Sequence, residues 1–273
     1  MKPNFFIVGA AKSGTTLIYK TLEENSNFAF SKVKETHYLL KDLYDQDEYF
    51  EYFKVERKYV GEGSVSYLPS YEKVIPKIKL INPSSKIIIV IRNPFERFVS
   101  HYQYYKQLGY EADSLENCFS INHRPKFDPW KQDYNPYLEG SLYSDAINAY
   151  KEAFEDVLVL TFDQVINQPN FTCSELSELF DTKLTSNAEK QKVVNETLVP
   201  KVKILDSLLS VEGKRYLANL LPYNLKIMIK KTLYKKPKRD NIKFPLELLN
   251  CFNNEIKVLE ETLNLDLKAW YKK

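Results

Sequence analysis

Cysteine, histidine, glycine and long apolar runs are all scarce in this 273-residue chain, and each scarcity removes a class of explanation. The three cysteines, Cys118, Cys173 and Cys251, lie far apart without CxxC spacing. A disulfide framework is therefore not expected, and the thiols read as buried or neutral groups in a reducing compartment. His101 and His123 have no metal-ligand spacing with each other or with a cysteine, so no metal is expected; they read as a helix-surface and a loop residue. No window approaches about 18 consecutive apolar residues, and a strand follows Met1 and Lys2 too closely to leave room for a signal peptide. The expectation is a cytoplasmic protein without a membrane span. The net charge of +3 is too small to argue for or against an anionic partner, so local clusters must decide, and nucleic acid is not expected as a partner. With 44% hydrophobic and 27% charged residues, the chain can nevertheless bury a core.

Of only seven glycines, two sit in one turn near the start, within NFFIVGAAKSGTT from Asn4 to Thr16. Phe5 to Val8 form a short apolar run that stops at Gly9, as a buried strand does on entering a loop. Thr15 and Thr16 then open a helically spaced segment through Leu17, Ile18, Thr21 and Leu22. Backbone N–H groups and a helix N-terminus converge in such a turn, and an anion there meets donors and a dipole together. Lys12 adds a charge, and Ser13, Thr15 and Thr16 add hydroxyls. Gly9 to Thr16 fits the nucleotide-binding pattern GxxxxGK[ST] at both glycines and at the last residue, but Thr15 stands at the lysine position. The turn is built for an anion other than an ordinary magnesium–nucleoside triphosphate.

Further along, Phe28–Phe30 reads as a short strand, and SKVKETHYLL carries Glu35 and His37. The acidic, aromatic stretch from Leu40 to Phe53 reads as helical. KYVGEGS reads as a strand running into a turn at Gly61 and Gly63, and Ser70 to Ile81 as a helix kinked or delayed by Pro76. KIIIVI, Lys86 to Ile91, is the clearest strand and reads as the centre of a parallel sheet. Asn93 caps the next helix, with Pro94 in its first position. After a polar, aromatic excursion from Tyr110 to Tyr137 come a helix over 141–155, a strand from Val157 to Thr161 and a helix from Asn170 to Phe180. Beyond Leu198 the pattern is helical, with a basic run from Lys230 to Arg239 and a terminal helix from Pro245 to Leu263. The fold class this predicts is α/β: a P-loop-like three-layer fold with a central parallel sheet flanked by helices and a helical C-terminal part. We read 1–273 as a single domain, with an α/β core over 1–180 and a mainly helical extension over 181–273.

In magnesium-dependent phosphate-loop enzymes a buried strand often ends in a metal-holding aspartate; here the corresponding strand ends in Arg92, with Arg97 and Ser100 on the helix beyond. The residues allow a second anion site or a plain ion pair between Arg92 and a nearby carboxylate.

These segments, FFIVGAAKSGTT, KETHYLL, GEGSVSYL, KIIIVIRNPFERFVSHY, and EGSLYSDAINAY followed by VLVLTFDQVINQP, resemble in this order the motifs of sulfotransferases that use 3′-phosphoadenosine 5′-phosphosulfate (PAPS). The likeness is strongest to the heparan-sulfate type and related bacterial carbohydrate sulfotransferases, and it covers Asn4 to Phe180. It implies that Lys12, Ser13, Gly14, Thr15 and Thr16 grip the 5′-phosphosulfate and that Arg92 and Ser100 hold the 3′-phosphate. It also implies that Glu35 is the base that takes the acceptor's proton, with His37 in support or in its place; the competing reading of Glu35 is an ion pair with Lys32 or Lys34. Some heparan-type enzymes have a lysine where this chain has Gly63, so one polar contact is lost or moved, leaving Glu62, Ser64 and Tyr67 as site-lining or structural groups. EGKRY, Glu212 to Tyr216, resembles the family's loop over the nucleotide only faintly, through Lys214 and Arg215. Trp130 and Trp270 read as packing anchors, with sugar stacking open to Trp130. The basic run reads as a solvated helix face or a contact to an anionic glycan or membrane surface.

The function implied is transfer of a sulfuryl group from PAPS, without a metal, to a hydroxyl or amine of a carbohydrate, glycolipid or other small-molecule acceptor. A P-loop kinase of a small molecule and a non-catalytic nucleotide- or glycan-binding protein of the same fold are the alternatives.

Overall fold

The computed structural model describes residues 1–128, 135–185 and 242–273, together with the backbone of 199–200 and 234–235. Five strands, β1 (Phe5–Gly9), β2 (Phe28–Phe30), β3 (Tyr59–Gly63), β4 (Lys86–Ile91) and β5 (Val157–Thr161), form one sheet in the order β2-β3-β1-β4-β5. Every pairing is parallel. The middle position falls to β1, with β4 beside it.

Alternation along the strands divides the core in two. Phe5, Ile7, Ile88 and Val90 face one side, where they meet Leu17, Ile18 and Leu22 of α1 (Thr15–Glu23), Val165 of α6 (Phe162–Asn167) and Leu176 and Phe180 of α7 (Pro169–Phe180). Phe6, Val8, Ile87, Ile89 and Ile91 face the other. There they join α3 (Tyr71–Ile81), α4 (Pro94–Leu108), α5 (Ser144–Ala153) and α8 (Leu246–Leu263). This is the expected three-layer α/β fold, and α8 supplies the helical C-terminal part. The buried carboxylate of Glu255 on α8 accepts hydrogen bonds from Tyr143 N (2.6 Å), Ser144 N (2.8 Å) and Ser144 Oγ (2.9 Å) at the start of α5. An acidic group there satisfies otherwise orphaned helix donors. Asn93 caps α4 through Phe95 N, as expected, and also donates from Nδ2 to the carbonyl of the buried Trp270.

Four expectations need correction. The stretch from Leu40 to Phe53 is not one helix: a single 3₁₀ turn, Tyr38–Leu40, precedes the short helix α2 (Gln46–Phe50). Its aromatic residues serve instead as packing groups, with Tyr38 stacked on Tyr49 and Tyr49 edge-on to Phe53. Gly61 and Gly63 lie inside β3 rather than in a turn, and Pro76 lies within the helix from Tyr71 to Ile81. His101 is buried on α4, not on its surface. Trp130, Lys214 and Arg215 lie outside the described residues, as does the basic run 230–239 apart from a backbone pairing of Val199–Pro200 with Tyr234–Lys235.

The glycine at 61 is explained by its neighbour. A Cβ there would stand 2.5 Å from both the carbonyl oxygen and a ring carbon of Phe5 on β1. A glycine within a strand marks such a close approach. Gly61→Ala is expected to lower stability by about 1–3 kcal/mol, in the range of overpacking changes, and thermal melting would show it; an unchanged midpoint would mean that β1 and β3 can separate freely.

Candidate active site

The C-terminal ends of β1, β3, β4 and β5 meet along one edge of the sheet, because all the strands are parallel. At this edge β1 leads into α1 on one face while β4 leads into α4 on the other. Adjacent strands that depart to opposite faces leave a crevice, the usual ligand position in open α/β sheets.

The turn after β1 fills that crevice. Gly14 precedes α1 in the left-handed region (φ 95°), and no side chain caps the helix. Ser13 is fully buried, and its Oγ has no hydrogen-bond partner among the described residues. Lys12 also has left-handed backbone (φ 68°), and its Nζ lies 4.3 Å from the centre of the Tyr104 ring on α4. Lys34 reaches in from the other side, with Nζ donating to Thr16 Oγ1 at 2.7 Å. Two ammonium groups therefore flank the turn. Arg97 braces it from behind: Nε donates to the Ala11 carbonyl (3.0 Å), while Nη1 donates to the carbonyls of Pro136 (2.6 Å) and Tyr137 (3.1 Å). Burial, then the neighbouring cations Arg97 and Lys12, hold the His101 imidazole well below its ordinary pKa, so it is neutral beside the turn.

Glu35 and His37 stand next to this turn. The Glu35 carboxylate is 3.7 Å from Lys34 Nζ and 3.6 Å from His37 Nε2. Burial, followed by the charge of Glu35, raises the pKa of the Tyr104 phenol, which ties Glu35 electrostatically to the ring beneath Lys12. The His37 Nδ1 meets Ser66 Oγ at 2.5 Å. Both Glu35 (φ 60°) and His37 (φ 50°) are left-handed, as is Lys12. The other two described non-glycine residues with positive φ, Asp181 and Asn264, cap helix C-termini. A non-glycine residue held there stores strain of order 1–3 kcal/mol, and the surroundings must over-determine it.

A buried network from β3 does so. Glu62 is fully buried, and its carboxylate accepts from Ser64 Oγ (2.5 Å), from the Tyr49 hydroxyl, and from the Thr36 hydroxyl, which lies 2.9 and 3.0 Å from its two oxygens. These same groups hold the backbone of the Glu35 segment. His37 N donates to Ser64 Oγ, Tyr38 N to Thr36 Oγ1 and Leu39 N to the Tyr67 hydroxyl, each at 3.1 Å. Hydroxyl donors thus satisfy a carboxylate that would otherwise be costly to bury.

Arg92 leaves the end of β4 almost fully buried. Its Nε and Nη2 donate to Glu96 Oε2 at 3.2 and 2.7 Å, Nη1 donates to the Lys12 carbonyl at 3.3 Å, and the guanidinium lies 4.2 Å from the centre of the Phe162 ring. The ion pair foreseen as its plainer role is thus present, and a link to the first turn as well. Ser100 is buried on α4, one helical step of four beyond Glu96.

The structure therefore brings Lys12, Ser13, Gly14, Thr16, Glu35, His37 and Arg92 into one neighbourhood. Lys34 and Tyr104 were missed from sequence, although Glu96, Ser100 and Tyr104 recur every four residues on one face of α4. In the excursion after α4, Glu111, Cys118 and His123 converge, a grouping in space that their spacing in sequence did not reveal. Among the described residues, no helix is long and apolar enough to cross a membrane.

Comparison with known proteins gives a family model, described as a sulfotransferase domain, that matches residues 2–210. The membrane-associated sulfotransferase kil1 of Dictyostelium discoideum is 27% identical over 147 residues, covering 45% of this chain and 31% of that protein. Carbohydrate sulfotransferase 15 of Rattus norvegicus is 24% identical over 195 residues, covering 54% of this chain and 34% of that protein. The chain thus spans about a third of the length of these relatives. A crystal structure of a sulfotransferase from Alicyclobacillus acidocaldarius covers 99% of both chains with a TM-score of 0.67 at 22% identity, a likeness of fold.

Proposed function

The chain belongs to the sulfotransferase family, and from that membership we propose that it transfers the sulfuryl group of PAPS to a hydroxyl or amine of a carbohydrate or glycolipid. One observation carries the reading: the fully buried, unpartnered Ser13 hydroxyl in an uncapped turn flanked by the Lys12 and Lys34 ammonium groups. An orphaned buried hydroxyl is costly unless a ligand satisfies it, and the charges around it call for an anion. The 5′-phosphosulfate of PAPS fits that turn.

When bound, PAPS supplies an activated sulfuryl group on a phosphate leaving group. The residues of the chain do the rest. Lys12, the Ser13 and Thr16 hydroxyls and the amides at the start of α1 hold the phosphosulfate and stabilise the charge that grows on its oxygens. Glu35 takes the acceptor's proton, and His37, fixed by Ser66, orients it. Tyr104 limits the crevice beside Lys12. In this reading 1–273 acts as a single domain whose core is 1–180, and the acceptor class draws support from the relative named for carbohydrate sulfation.

Arg92 and Ser100 are assigned to the 3′-phosphate. The Arg92 fork already holds a carboxylate, that of the half-exposed Glu96, in the manner in which it would hold phosphate oxygens. Arg92→Ala is expected to weaken PAPS binding by tens- to hundredfold, the effect of losing a charge-assisted contact worth about 1.5–3 kcal/mol, and to leave adenosine 5′-phosphosulfate binding nearly unchanged. Ser100→Ala should act in the same sense but less. Calorimetric titration with the two nucleotides decides it: equal weakening of both would mean that Arg92 acts only through its contact with the Lys12 carbonyl.

A further inference from the structure

Outside the crevice, the excursion after α4 gathers three side chains of metal-binding chemistry. Glu111, Cys118 and His123 are buried, and one ligand atom of each lies within 4.8 Å of the other two. His123 Nε2 is 2.7 Å from Glu111 Oε2 and 3.4 Å from Cys118 Sγ. We infer that these residues form a zinc-type metal site, with Glu111 Oε2, Cys118 Sγ and His123 Nε2 as ligands and a water in the fourth position.

Four observations carry this. Carboxylate, thiolate and imidazole are the three donor types zinc accepts, and a separation of 3.4 Å between sulfur and nitrogen is what bonds of about 2.3 and 2.0 Å at a tetrahedral angle impose. Charge balances: one carboxylate and one thiolate neutralise a dication, so the buried site has no net charge to desolvate. The outer partners that ligands require are also present. Asp113 Oδ2 lies 3.8 Å from His123 Nδ1, on the ring nitrogen left over, while Asp113 N and the Tyr137 hydroxyl each donate to Glu111 at 2.8 Å. Finally, the segment has little regular structure to hold it, a single 3₁₀ turn at Asn117–Phe119.

Binding would release the Cys118 Sγ proton to solvent and leave His123 a neutral imidazole, bound through Nε2 and keeping its one ring proton on Nδ1 beside Asp113. It would open the Glu111–His123 contact by about 0.6 Å and replace the Cys118–Ser114 hydrogen bond (3.2 Å). The consequence is a staple. Tyr137, which donates to Glu111, also packs its ring on His101 and Tyr105 of α4, so the ion would lock the excursion onto the helix that carries Tyr104.

The test uses the full chain, stripped with a chelator and titrated with Zn²⁺ against a chromophoric competitor, then with Co²⁺ while the near-ultraviolet spectrum is followed. One equivalent of Zn²⁺ is expected, with a rise in melting temperature on loading and a thiolate-to-cobalt charge-transfer band. Cys118→Ser and His123→Asn should each weaken binding at least about 100-fold, more than the loss of an outer partner brings, whereas Cys251→Ser should not. Binding below half an equivalent, or binding that survives Cys118→Ser, overturns the assignment. Should the variants fail to fold, the cobalt spectrum of the unaltered chain decides alone, and the lack of a thiolate band rejects the site.

Discussion

Lys12→Ala is expected to reduce kcat for sulfuryl transfer by about 10²–10³, the loss of about 2.7–4 kcal/mol that follows removal of a donor aimed at developing charge. The variant isolates the ammonium unusually well. The Lys12 carbonyl, which receives Arg92, remains in place, and alanine meets the same left-handed backbone that lysine does (φ 68°). Melting temperature should therefore change little while turnover collapses. The ammonium rests against the Tyr104 ring, a weak contact worth about 0.5–1 kcal/mol where solvent reaches it and readily exchanged for a phosphosulfate oxygen. A near-normal rate in single-turnover experiments at saturating PAPS would show that Lys12 does not reach the reacting group.

Glu35→Gln is expected to lower kcat by about 10²–10⁴, the usual contribution of a positioned general base, with little change in affinity for 3′-phosphoadenosine 5′-phosphate. The amide has the same shape, and the Glu62 network holds the backbone that follows it independently of it. The plainer role for Glu35, pairing with Lys34 at 3.7 Å, leads to a different result. Lys34 rests on Thr16 at the start of α1, so a glutamate that only steadied Lys34 would, on replacement, alter nucleotide affinity and spare kcat. The two parameters therefore separate the roles. An unchanged kcat would pass the base to His37, whose Nε2 faces Glu35.

What could be read from the sequence follows the range of the forces involved. The strand, turn and helix from Phe5 to Thr16 and the strand before Arg92 were legible because an apolar run ending in glycine or a charge is a local signal. Asn93 and Pro94 were legible for the same reason. Gly61 misled because local turn chemistry was overruled by the ring and carbonyl of Phe5 pressing on β3, and Gly63 because it packs in the same strand against Tyr19 and Ile7. The aromatic stretch before Phe53 misled because Tyr49 is spent on Glu62 and on neighbouring rings rather than on a helix face. In the site, Lys12, Glu35 and His37 were visible through resemblance. The groups that hold them, Thr36 with Glu62, Ser64 and Tyr67, act across 26 to 31 residues of chain, a distance over which residue spacing carries no information. His123 beside Cys118 and Glu111 is the converse case: the three are near in sequence, but their spacing matches no helical or knuckle pattern.

The most direct test of the central claim follows the fate of the sulfuryl group itself. PAPS labelled in that group would be incubated with the chain and a panel of glycans, glycolipids and small amines, and the products separated by mass spectrometry. The account predicts label on an acceptor hydroxyl or amine, with an equal amount of 3′-phosphoadenosine 5′-phosphate, and loss of both in Lys12→Ala and Glu35→Gln. PAPS that binds and stays intact with every acceptor, or phosphoryl transfer from ATP in its place, would contradict it.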